Sequence, residues 1–225
     1  MTTPNPVDIA IEYYDQRASS MDSAYAAEPK GWVLTMIEDL QRTLRGRRVL
    51  EVACGTAVWT RYAAEAATHV TGVDAAPNML AVARGKQLPA DRVDLRLGDA
   101  FALADVPGTF DAGLAMQWFS HVPRARYAEF LDGWHARLGA GAVVFLGDNQ
   151  PWDGMVDKPY AKAGHDDTYE LRRLPGRPTY EIIKNYFQPD ELRTIFAPYA
   201  SHLTLHSGTY WWWLSYTVTR PNAAA

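Results

Sequence analysis

The fold of this chain is decided by residues 49–57, which read VLEVACGTA. The first five of them form a short, largely apolar run of the kind that becomes a buried strand. Small residues follow at once, and a helical pattern then covers 58–67. In open parallel sheets, a tight turn of small residues between strand and helix lets the backbone approach a ligand closely. The stretch therefore predicts a ligand site at the end of this strand.

The same alternation of strand and helix patterns continues along the chain. Strands that alternate with helices of this length form right-handed crossover connections in a parallel sheet that is covered on both faces. The predicted fold class is therefore α/β. The further strands of this core are predicted at 70–74, 93–97, 110–115 and 142–146, and its helices begin at Pro77 and near Arg124.

Further elements are predicted on both sides of this core. In the helical pattern at 32–44 the apolar residues fall on one face, which indicates core packing. Residues 168–174 and 179–185 have the pattern of two strands, and Pro175-Gly176 between them is typical of a hairpin connection. The remaining predicted elements are helices at 7–17 and 189–196 and strands at 203–206 and 210–218.

The 225 residues have the length of one domain, or of one domain with an insertion. We expect a single domain, 1–225, in four parts. These are N-terminal helices over the ligand at 1–45, a ligand-binding core at 46–148, an inserted cap at 149–187, and a C-terminal helix with strands at 188–220.

Composition excludes several classes of function. The chain has 22 basic and 26 acidic side chains, a net charge of −4, and so lacks the basic excess that binding to DNA or RNA requires. Cys54 is the only cysteine, which excludes a disulfide framework and a cysteine-cluster metal site. No apolar run approaches the roughly 20 residues that span a bilayer. We therefore expect a cytoplasmic protein with no membrane partner.

Three carboxylates are predicted at one edge of the sheet. Asp74 ends the second strand, where it can accept both hydroxyls of a ribose. Asp99 follows the third strand and can accept from the exocyclic amine of an adenine. Glu51 precedes the turn, where it would repel a pyrophosphate and suits a ligand with a cationic end. A ligand that combines adenosine, a sulfonium and an ammonium is S-adenosylmethionine (SAM).

A dinucleotide site is the alternative interpretation of these features. A NAD enzyme needs the pattern G-x-G-x-x-G, in which the N-terminus of the helix meets a pyrophosphate. Here the corresponding positions are Ala53, Gly55 and Ala57, with Trp59 after them. Because this is a poor phosphate cradle, a nicotinamide oxidoreductase is the weaker hypothesis.

Four motifs in order resemble those of the class I SAM-dependent methyltransferases. They lie at 49–60, 72–80, 97–100 and 110–123. The resemblance implies a Rossmann-like, doubly wound sheet of seven strands with a small inserted cap, in which the last strand, 210–218, runs antiparallel. Ala53 and Ala57 depart from the glycines of the family motif. Their methyl groups are expected to lower the affinity for the cofactor or to shift its pose.

The resemblance also implies roles around the cofactor. Glu51 faces the methionine amino group, Asp74 holds the ribose and Asp99 meets the adenine amine. Met79 packs on the adenine, and Tyr14 lies on an N-terminal helix that closes over the cofactor in similar enzymes. The implied cofactor-binding residues are Tyr14, Glu51, Ala53, Gly55, Thr56, Asp74, Ala75, Met79, Asp99, Ala100, Phe101 and Met116.

His121 is the candidate general base. Methyl transfer from a sulfonium is an in-line displacement that needs aligned reactants and, for a weakly acidic nucleophile, removal of a proton. His121 follows the fourth strand, and Gln117 and Trp118 before it are expected to face the same pocket. A hydrogen-bonded histidine that caps the strand end is the other open interpretation. This chemistry requires no metal, and no metal site is predicted.

A narrower resemblance involves the segment from Arg172-Arg173 to Lys184. Together with the tyrosine pair of the first helix and the sequence His-Val-Pro, it resembles bacterial phosphonate O-methyltransferases. Those enzymes hold an anionic acceptor with an arginine and a lysine, which correspond to Arg173 and Lys184, and with a tyrosine, for which Tyr25 is the nearest candidate. The resemblance implies an ionised phosphonate or carboxylate acceptor, which needs no base.

The aromatic C-terminus favours a different acceptor. On an alternating strand Trp211 and Trp213 share one face while Tyr210 and Trp212 share the other, so one pair can line a flat pocket. The predicted activity is methylation of a small-molecule metabolite, in secondary metabolism, on an anionic oxygen. Two alternatives stay open: an N-, O- or C-methyltransferase of an aromatic natural product with His121 as base, and a SAM-binding domain without catalysis.

Overall fold

A computed structural model describes residues 5–25, 31–155 and 158–219, with residues 24 and 25 described by their backbone alone. Its helices are α1 (Pro6–Met21), α2 (Trp32–Leu44), α3 (Val58–Ala64), α4 (Pro77–Arg84), α5 (Tyr127–His135) and α6 (Pro189–Phe196). Its strands are β1 (Arg48–Val52), β2 (His69–Asp74), β3 (Val93–Leu97), β4 (Phe110–Met116), β5 (Leu138–Asn149), β6 (Tyr160–Ala161), β7 (Thr168–Arg172), β8 (Tyr180–Ile183), β9 (Ala200–Ser207) and β10 (Trp211–Val218). Three 3-10 turns cover Asp22–Tyr25, Phe119–His121 and Arg124–Arg126.

Seven of the strands form one sheet in the order β3-β2-β1-β4-β5-β10-β9. The first five strands in this order pair in parallel, whereas β10 runs antiparallel to both β5 and β9. The predicted Rossmann-like α/β fold and the antiparallel last strand are therefore confirmed. The strand order reverses between β1 and β4, so the carboxyl ends of these two strands border a crevice in which ligands bind.

Local sequence explains where the helices begin. α4 and α6 start at Pro77 and Pro189, whose fixed φ and missing N–H suit the first turn of a helix. α1 starts after Asn5, whose side chain accepts a hydrogen bond from the N–H of Val7 at 3.1 Å. None of the described helices has the length and apolarity needed to cross a membrane.

Several boundaries differ from the sequence predictions. The helix predicted from Arg124 begins as a 3-10 turn and becomes α-helical only at Tyr127. β5 begins at Leu138, four residues before the predicted start, because its pairing with β4 continues past a register shift. The sequence also gave no sign of β6, which joins β7 and β8 in a second, three-stranded sheet. Two residues are too few to show an alternating pattern.

The large sheet is covered on both faces. On one face Trp134 of α5 and Phe196 of α6 pack in a cluster with Trp212 of β10. On the other face α2 and α3 form a second cluster that includes Met36 and Trp213. The adjacent tryptophans of β10 therefore belong to opposite faces, as strand alternation requires.

The second sheet and α1 border the crevice. Tyr13 of α1 packs in one cluster with Tyr180 and Ile182 of β8. Beyond β8, the N–H of Asn185 donates to the carbonyl oxygen of Ser120 at 2.8 Å, which ties the second sheet to the segment after β4. This arrangement places β7, β8 and α1 next to the carboxyl ends of the central strands.

Candidate active site

A cavity of about 720 Å³ opens at the carboxyl ends of the central strands. Its wall contains residues that follow β1, β2, β3, β4 and β5, together with residues of α1 and of the second sheet. This is the position at which open parallel sheets bind their ligands. The ligand site predicted from the turn after β1 therefore coincides with this cavity.

The turn after β1 is left-handed at three positions. The φ angle is 51° at Ala53, 55° at Gly55 and 63° at Ala57. A residue with a Cβ in this region costs about 1–2 kcal/mol, so the two alanines hold the geometry of a glycine-rich turn under strain. Cys54 between them fills the space above Gly72, since a Cβ at position 72 would lie 3.0 Å from its Sγ. Burial raises the pKa of the Cys54 thiol, which makes it a packing residue rather than a nucleophile.

Asp74 links this turn to the end of β2. Its Oδ2 accepts the N–H of Gly55 at 2.7 Å, and its Oδ1 accepts the N–H of Ala76 at 2.8 Å. Burial raises the pKa of Asp74, while the two N–H donors oppose that shift. Each carboxylate oxygen keeps further acceptor capacity for a ligand hydroxyl. The geometry is therefore compatible with the predicted contact to a ribose.

Glu51 has a buried oxygen without a partner beside the cavity. The residue is 1% exposed, and its Oε2 has no hydrogen-bond partner among the described residues. Burial, and to a smaller degree the negative charge of Asp74, raise the pKa of Glu51 to about 8. A ligand ammonium would satisfy this oxygen and favour the ionised carboxylate. The site therefore fits the cationic end of a ligand such as SAM.

The residues predicted to contact the adenine lie partly on the cavity wall and partly in the hydrophobic core. Asp99 and Ala100 line the cavity. Asp99 accepts the N–H of Phe101 at 2.9 Å, but the ring of Phe101 is not part of the cavity wall. It packs against Phe130, with ring centroids 5.8 Å apart, and the guanidinium of Arg126 lies 3.8 Å from its centroid. Phe101 is thus placed to support Asp99 through its backbone rather than to flank a ligand ring.

His121 lies between α1 and β8. Its Nδ1 is 2.7 Å from the carbonyl oxygen of Ile183, and its Nε2 is 2.9 Å from the hydroxyl of Tyr14. Because a carbonyl oxygen can only accept, Nδ1 carries the proton and Nε2 accepts from Tyr14. Burial, and then the positive charge of Lys184, lower the pKa of His121 to about 3. The histidine is therefore neutral, and its one lone pair is already used.

Lys184 forms a buried ion pair with Asp148. Its Nζ lies 2.7 Å from Oδ1 of Asp148 and 2.6 Å from Oγ of Ser120, and the two charged side chains are 4% and 0% exposed. Burial alone would raise the pKa of Asp148, but Lys184 holds it below its ordinary value. Asp148 is therefore ionised next to the side chain of Lys184.

Arg172, rather than Arg173, contributes to the cavity wall. Arg172 is the last residue of β7 and forms an ion pair with the buried Glu170 two residues earlier, whereas Arg173 is exposed. Alternate residues of a strand share a face and adjacent ones do not. The strand register therefore favours Arg172 over Arg173 as the arginine that faces a ligand in the cavity.

Known proteins share this fold. Residues 49–141 match the family described as a methyltransferase domain. The structure of the DhpI–SAH complex is similar to this chain with a TM-score of 0.78 and 26% identity, and the match covers 99% of this chain and 100% of that chain. Residues 49–141 of this chain are therefore a methyltransferase domain of the class I SAM-dependent type. The DhpI–SAM–HEP complex has the same fold, with a TM-score of 0.76, 23% identity, and coverage of 96% of this methyltransferase and 99% of that chain.

Curated relatives match this methyltransferase over a part of their length. The ubiquinone biosynthesis O-methyltransferase of Pseudomonas aeruginosa (strain UCBPP-PA14) is 32% identical over 158 residues, which are 68% of this chain and 64% of that protein. The enzyme of the same name from Xanthomonas campestris pv. campestris (strain B100) is 39% identical over 151 residues, 66% of this chain and 60% of that protein. The chain thus spans less than two thirds of the length of these relatives.

The cofactor of this methyltransferase is SAM, and the predicted cofactor residues converge on the cavity. Glu51 and Asp74 offer acceptors for its ammonium and its ribose, as described above. Phe101 is the one member of the predicted set outside the wall. The members on the wall are Tyr14, Glu51, Ala53, Gly55, Thr56, Asp74, Ala75, Met79, Asp99, Ala100 and Met116.

The predicted acceptor residues are only partly brought together. Gln117, Trp118, His121 and Lys184 line the cavity of the methyltransferase. The side chain of Tyr25 lies outside the part of the chain that the structure describes.

Sequence reasoning missed three side chains in or beside the cavity. The prediction named Arg173 instead of its neighbour Arg172. The register of strand β7 is the signal that distinguishes the two residues. Asp148 lies near the end of β5, so the strand-end rule that identified Asp74 would have found it. Trp59 lines the cavity with a buried Nε1 that has no partner within the described ranges. No pattern in the sequence distinguishes Trp59 from a core tryptophan.

Proposed function

We propose that the protein transfers the methyl group of SAM to an ionised oxygen of a small organic acid, a carboxylate or a phosphonate. The observation that carries this proposal is that Arg172 and Lys184 lie on the wall of the same cavity as Glu51 and Asp74. Guanidinium and ammonium groups are the side chains that bind such oxyanions. An acid held by them shares one enclosed space with the cofactor.

Both cations keep hydrogen-bond donors for a ligand. Lys184 directs two of its three N–H groups to Asp148 and Ser120. The Nε of Arg172 is buried and has no hydrogen-bond partner among the described residues, although the guanidinium is ion-paired with Glu170. A buried donor without an acceptor costs about 1–3 kcal/mol, which a ligand oxygen would recover. These donors favour an oxyanion even though Asp148 and Glu170 balance the charge.

The side chains of the cavity have separate tasks in this reaction. When bound, SAM supplies an electrophilic methyl group on its sulfonium. Glu51 and Asp74 hold the cofactor, and Arg172 and Lys184 orient the acceptor oxygen. Because that oxygen is already ionised, no proton has to be removed. The rate enhancement then comes from alignment of the nucleophile with the methyl group.

In this reaction His121 positions Tyr14 and does not act as a base. Its Nε2 accepts from the Tyr14 hydroxyl, and its pKa of about 3 makes protonation unfavourable. A general base needs a free lone pair and a pKa close to the working pH. The predicted role of His121 as a base therefore belongs to the second candidate function below.

The second candidate is O-methylation of a neutral aromatic hydroxyl. Aromatic side chains on the cavity wall, Trp59, Trp118 and Trp211, favour it. So does the similarity to proteins named ubiquinone biosynthesis O-methyltransferase. In that reaction His121 would take the proton of the acceptor after Tyr14 had released Nε2. The two candidates differ in whether turnover depends on Arg172.

Steady-state methyl transfer to acid and neutral acceptors tests the proposal. We expect turnover of acids, and a rise in KM of about 30-fold or more in Arg172→Gln, because loss of a buried charged partner costs about 2–5 kcal/mol. Arg177→Gln is the matched control, since Arg177 is exposed between β7 and β8 and should leave KM unchanged. Turnover of neutral hydroxyl acceptors alone, unaffected by Arg172→Gln, would contradict the proposal.

A further inference from the structure

Five aromatic side chains form a row along the cavity wall. Trp152 contacts Tyr210, and Tyr210 stacks with Trp32, with ring centroids 6.3 and 6.4 Å apart. Trp211 lies 5.7 Å from Trp32 and 5.8 Å from Trp59. All five line the cavity, and the first three are 50%, 48% and 37% exposed. We call these five residues the aromatic row; it runs from the exposed rim to the buried Trp59.

The aromatic row lies away from the adenosine end of the cavity. Trp211 is the first residue of β10 and pairs with Asn149 at the end of β5. Of the two carboxylates assigned to adenosine, Asp74 ends β2 and Asp99 follows β3. In the sheet, β1 and β4 separate β2 from β5. The row therefore borders the acceptor side of the cavity.

A short segment connects the row to the cationic side chains. Tyr186 donates to Glu170, the ion-pair partner of Arg172, and its hydroxyl lies 3.9 Å from Sδ of Met155. The N–H of Met155 donates to the carbonyl oxygen of Trp152 at 3.1 Å. From Arg172 to Trp152, the wall is thus continuous through direct contacts.

The ring of Trp152 has a defined position despite its exposure. A Cβ at Gly154 would lie 1.9 Å from Cζ3 of Trp152, so the ring occupies the space that any side chain at position 154 would need. The absence of a side chain at Gly154 lets the ring rest against the backbone of its own turn. Trp152 is therefore a preformed surface at the rim.

We propose that the acceptor is an aryl acid, with its anionic head group at Arg172 and Lys184 and its flat apolar body against the aromatic row. The inference rests on the proposed function for the head group and adds the chemical class of the rest of the molecule. Half-exposed rings beside a cavity gain free energy when a flat apolar group covers them, through burial of surface and through ring–ring contact. An alkyl acid with the same head group leaves the row in contact with water.

Two acceptors that share a head group and differ in their body test this inference. Benzylphosphonate and ethylphosphonate are titrated into the 225-residue chain saturated with S-adenosylhomocysteine. We expect benzylphosphonate to bind about tenfold more tightly. Trp152→Ala should remove most of this preference and change the affinity for ethylphosphonate by less than about twofold. Gly154→Ala, which displaces the ring without deleting it, should act in the same direction.

Leu34→Ala is the matched control for loss of an exposed apolar side chain. Leu34 is 46% exposed on α2 and does not line the cavity, so its variant should keep the preference for benzylphosphonate. Equal affinity for the two phosphonates, or a preference that survives both Trp152→Ala and Gly154→Ala, would overturn the inference. Binding of neutral benzyl alcohol that depends on Trp152, with no binding of either phosphonate, would instead refute the anionic head group and so the proposed function.

Discussion

The hydroxyl of Tyr14 donates to Nε2 of His121 across 2.9 Å, which joins α1 to the segment after β4. The proton on Nδ1 of His121 is held by the carbonyl oxygen of Ile183 at 2.7 Å, so the tautomer is fixed. The proton of Tyr14 therefore points to the histidine, and only lone pairs of its oxygen remain for the cavity that it lines. Such an oxygen suits a methyl group that carries positive charge.

Tyr14→Phe should lower kcat about tenfold, because it removes this oxygen and leaves Nε2 of His121 without a partner.

The kcat of the wild type should be flat between about pH 6 and about pH 9. His121 has a pKa of about 3, and burial raises the pKa of Tyr14 far above its ordinary value, so neither titrates in that range. Stopped assays across this range check both statements. An acidic limb near pH 6.5 that disappears in His121→Gln would show that the histidine acts as a base.

Glu51 should release protons when SAM binds. With a pKa of about 8 the free protein holds Glu51 mostly protonated at pH 7, whereas pairing with an ammonium favours the ionised form. We expect release of up to about one proton per SAM bound at pH 7. Calorimetric titration in buffers of different ionisation enthalpy measures this number. Glu51→Gln should bind SAM more weakly and without the buffer dependence, and an equal proton release in that variant would exclude Glu51 as the source.

Glu51 should also destabilise the free protein at alkaline pH. Its pKa is raised by folding, so the folded state binds more protons than the unfolded state between the ordinary value and about 8. The contribution of Glu51 to the free energy of unfolding is fully present below the pKa that Glu51 has in the unfolded chain. It is lost as the pH rises through the pKa of Glu51 in the folded protein. Urea unfolding should therefore show that the free energy of unfolding of Glu51→Gln, relative to that of the wild type, increases from pH 5 to pH 8. A relative free energy of unfolding that decreases from pH 5 to pH 8 would contradict a raised pKa of Glu51 in the folded protein.

Asp148→Asn should destabilise the protein by about 3–5 kcal/mol, because it leaves the buried Lys184 without a counter-charge. The double variant Asp148→Leu/Lys184→Met should recover much of this loss, since no charge then remains buried. Chemical denaturation of the three proteins gives the comparison. Similar stability of the single and the double variant would mean that the pair contributes packing and not electrostatics.

Ala53→Gly should stabilise the protein by about 1 kcal/mol, because it relieves the left-handed backbone at φ 51°. Gly133→Ala tests the opposite substitution within helix α5, where a Cβ meets no atom within 4 Å. It should also stabilise, by about 0.8–1.0 kcal/mol, since alanine is the better helix former. Thermal unfolding measures both. Destabilisation by Ala53→Gly would mean that the methyl group of Ala53 contributes more by packing than it costs in strain.

The sequence predicted the parts of the site that depend on strand ends. Glu51, Asp74 and Asp99 follow from one rule, that ligands bind at the carboxyl ends of parallel strands, and strand ends are visible as apolar runs that stop. The sheet and the antiparallel β10 followed from the family resemblance and were confirmed. The tight turn around Ala53 and Ala57 was predicted, but its positive φ angles were not, because alanine gives no local signal for positive φ.

The acceptor side was less predictable because it depends on register and on contacts distant in sequence. A shift of one residue separates Arg172 from Arg173 and moves the charge from the cavity wall to the exposed side. The pairing of His121 with Tyr14 spans 107 positions and is absent from any local pattern. The aromatic row likewise combines α2, α3, the segment after β5 and the start of β10, which only the folded chain brings together.

Product identification with methyl-labelled SAM and benzylphosphonate tests the central claim most directly. The label should be recovered as a methyl ester on a phosphonate oxygen, formed by the wild type and by Arg177→Gln. At subsaturating acceptor, Arg172→Gln should form it about 30-fold more slowly. Recovery of the label only on the hydroxyl of a neutral aromatic acceptor, at a rate that Arg172→Gln leaves unchanged, would contradict the account.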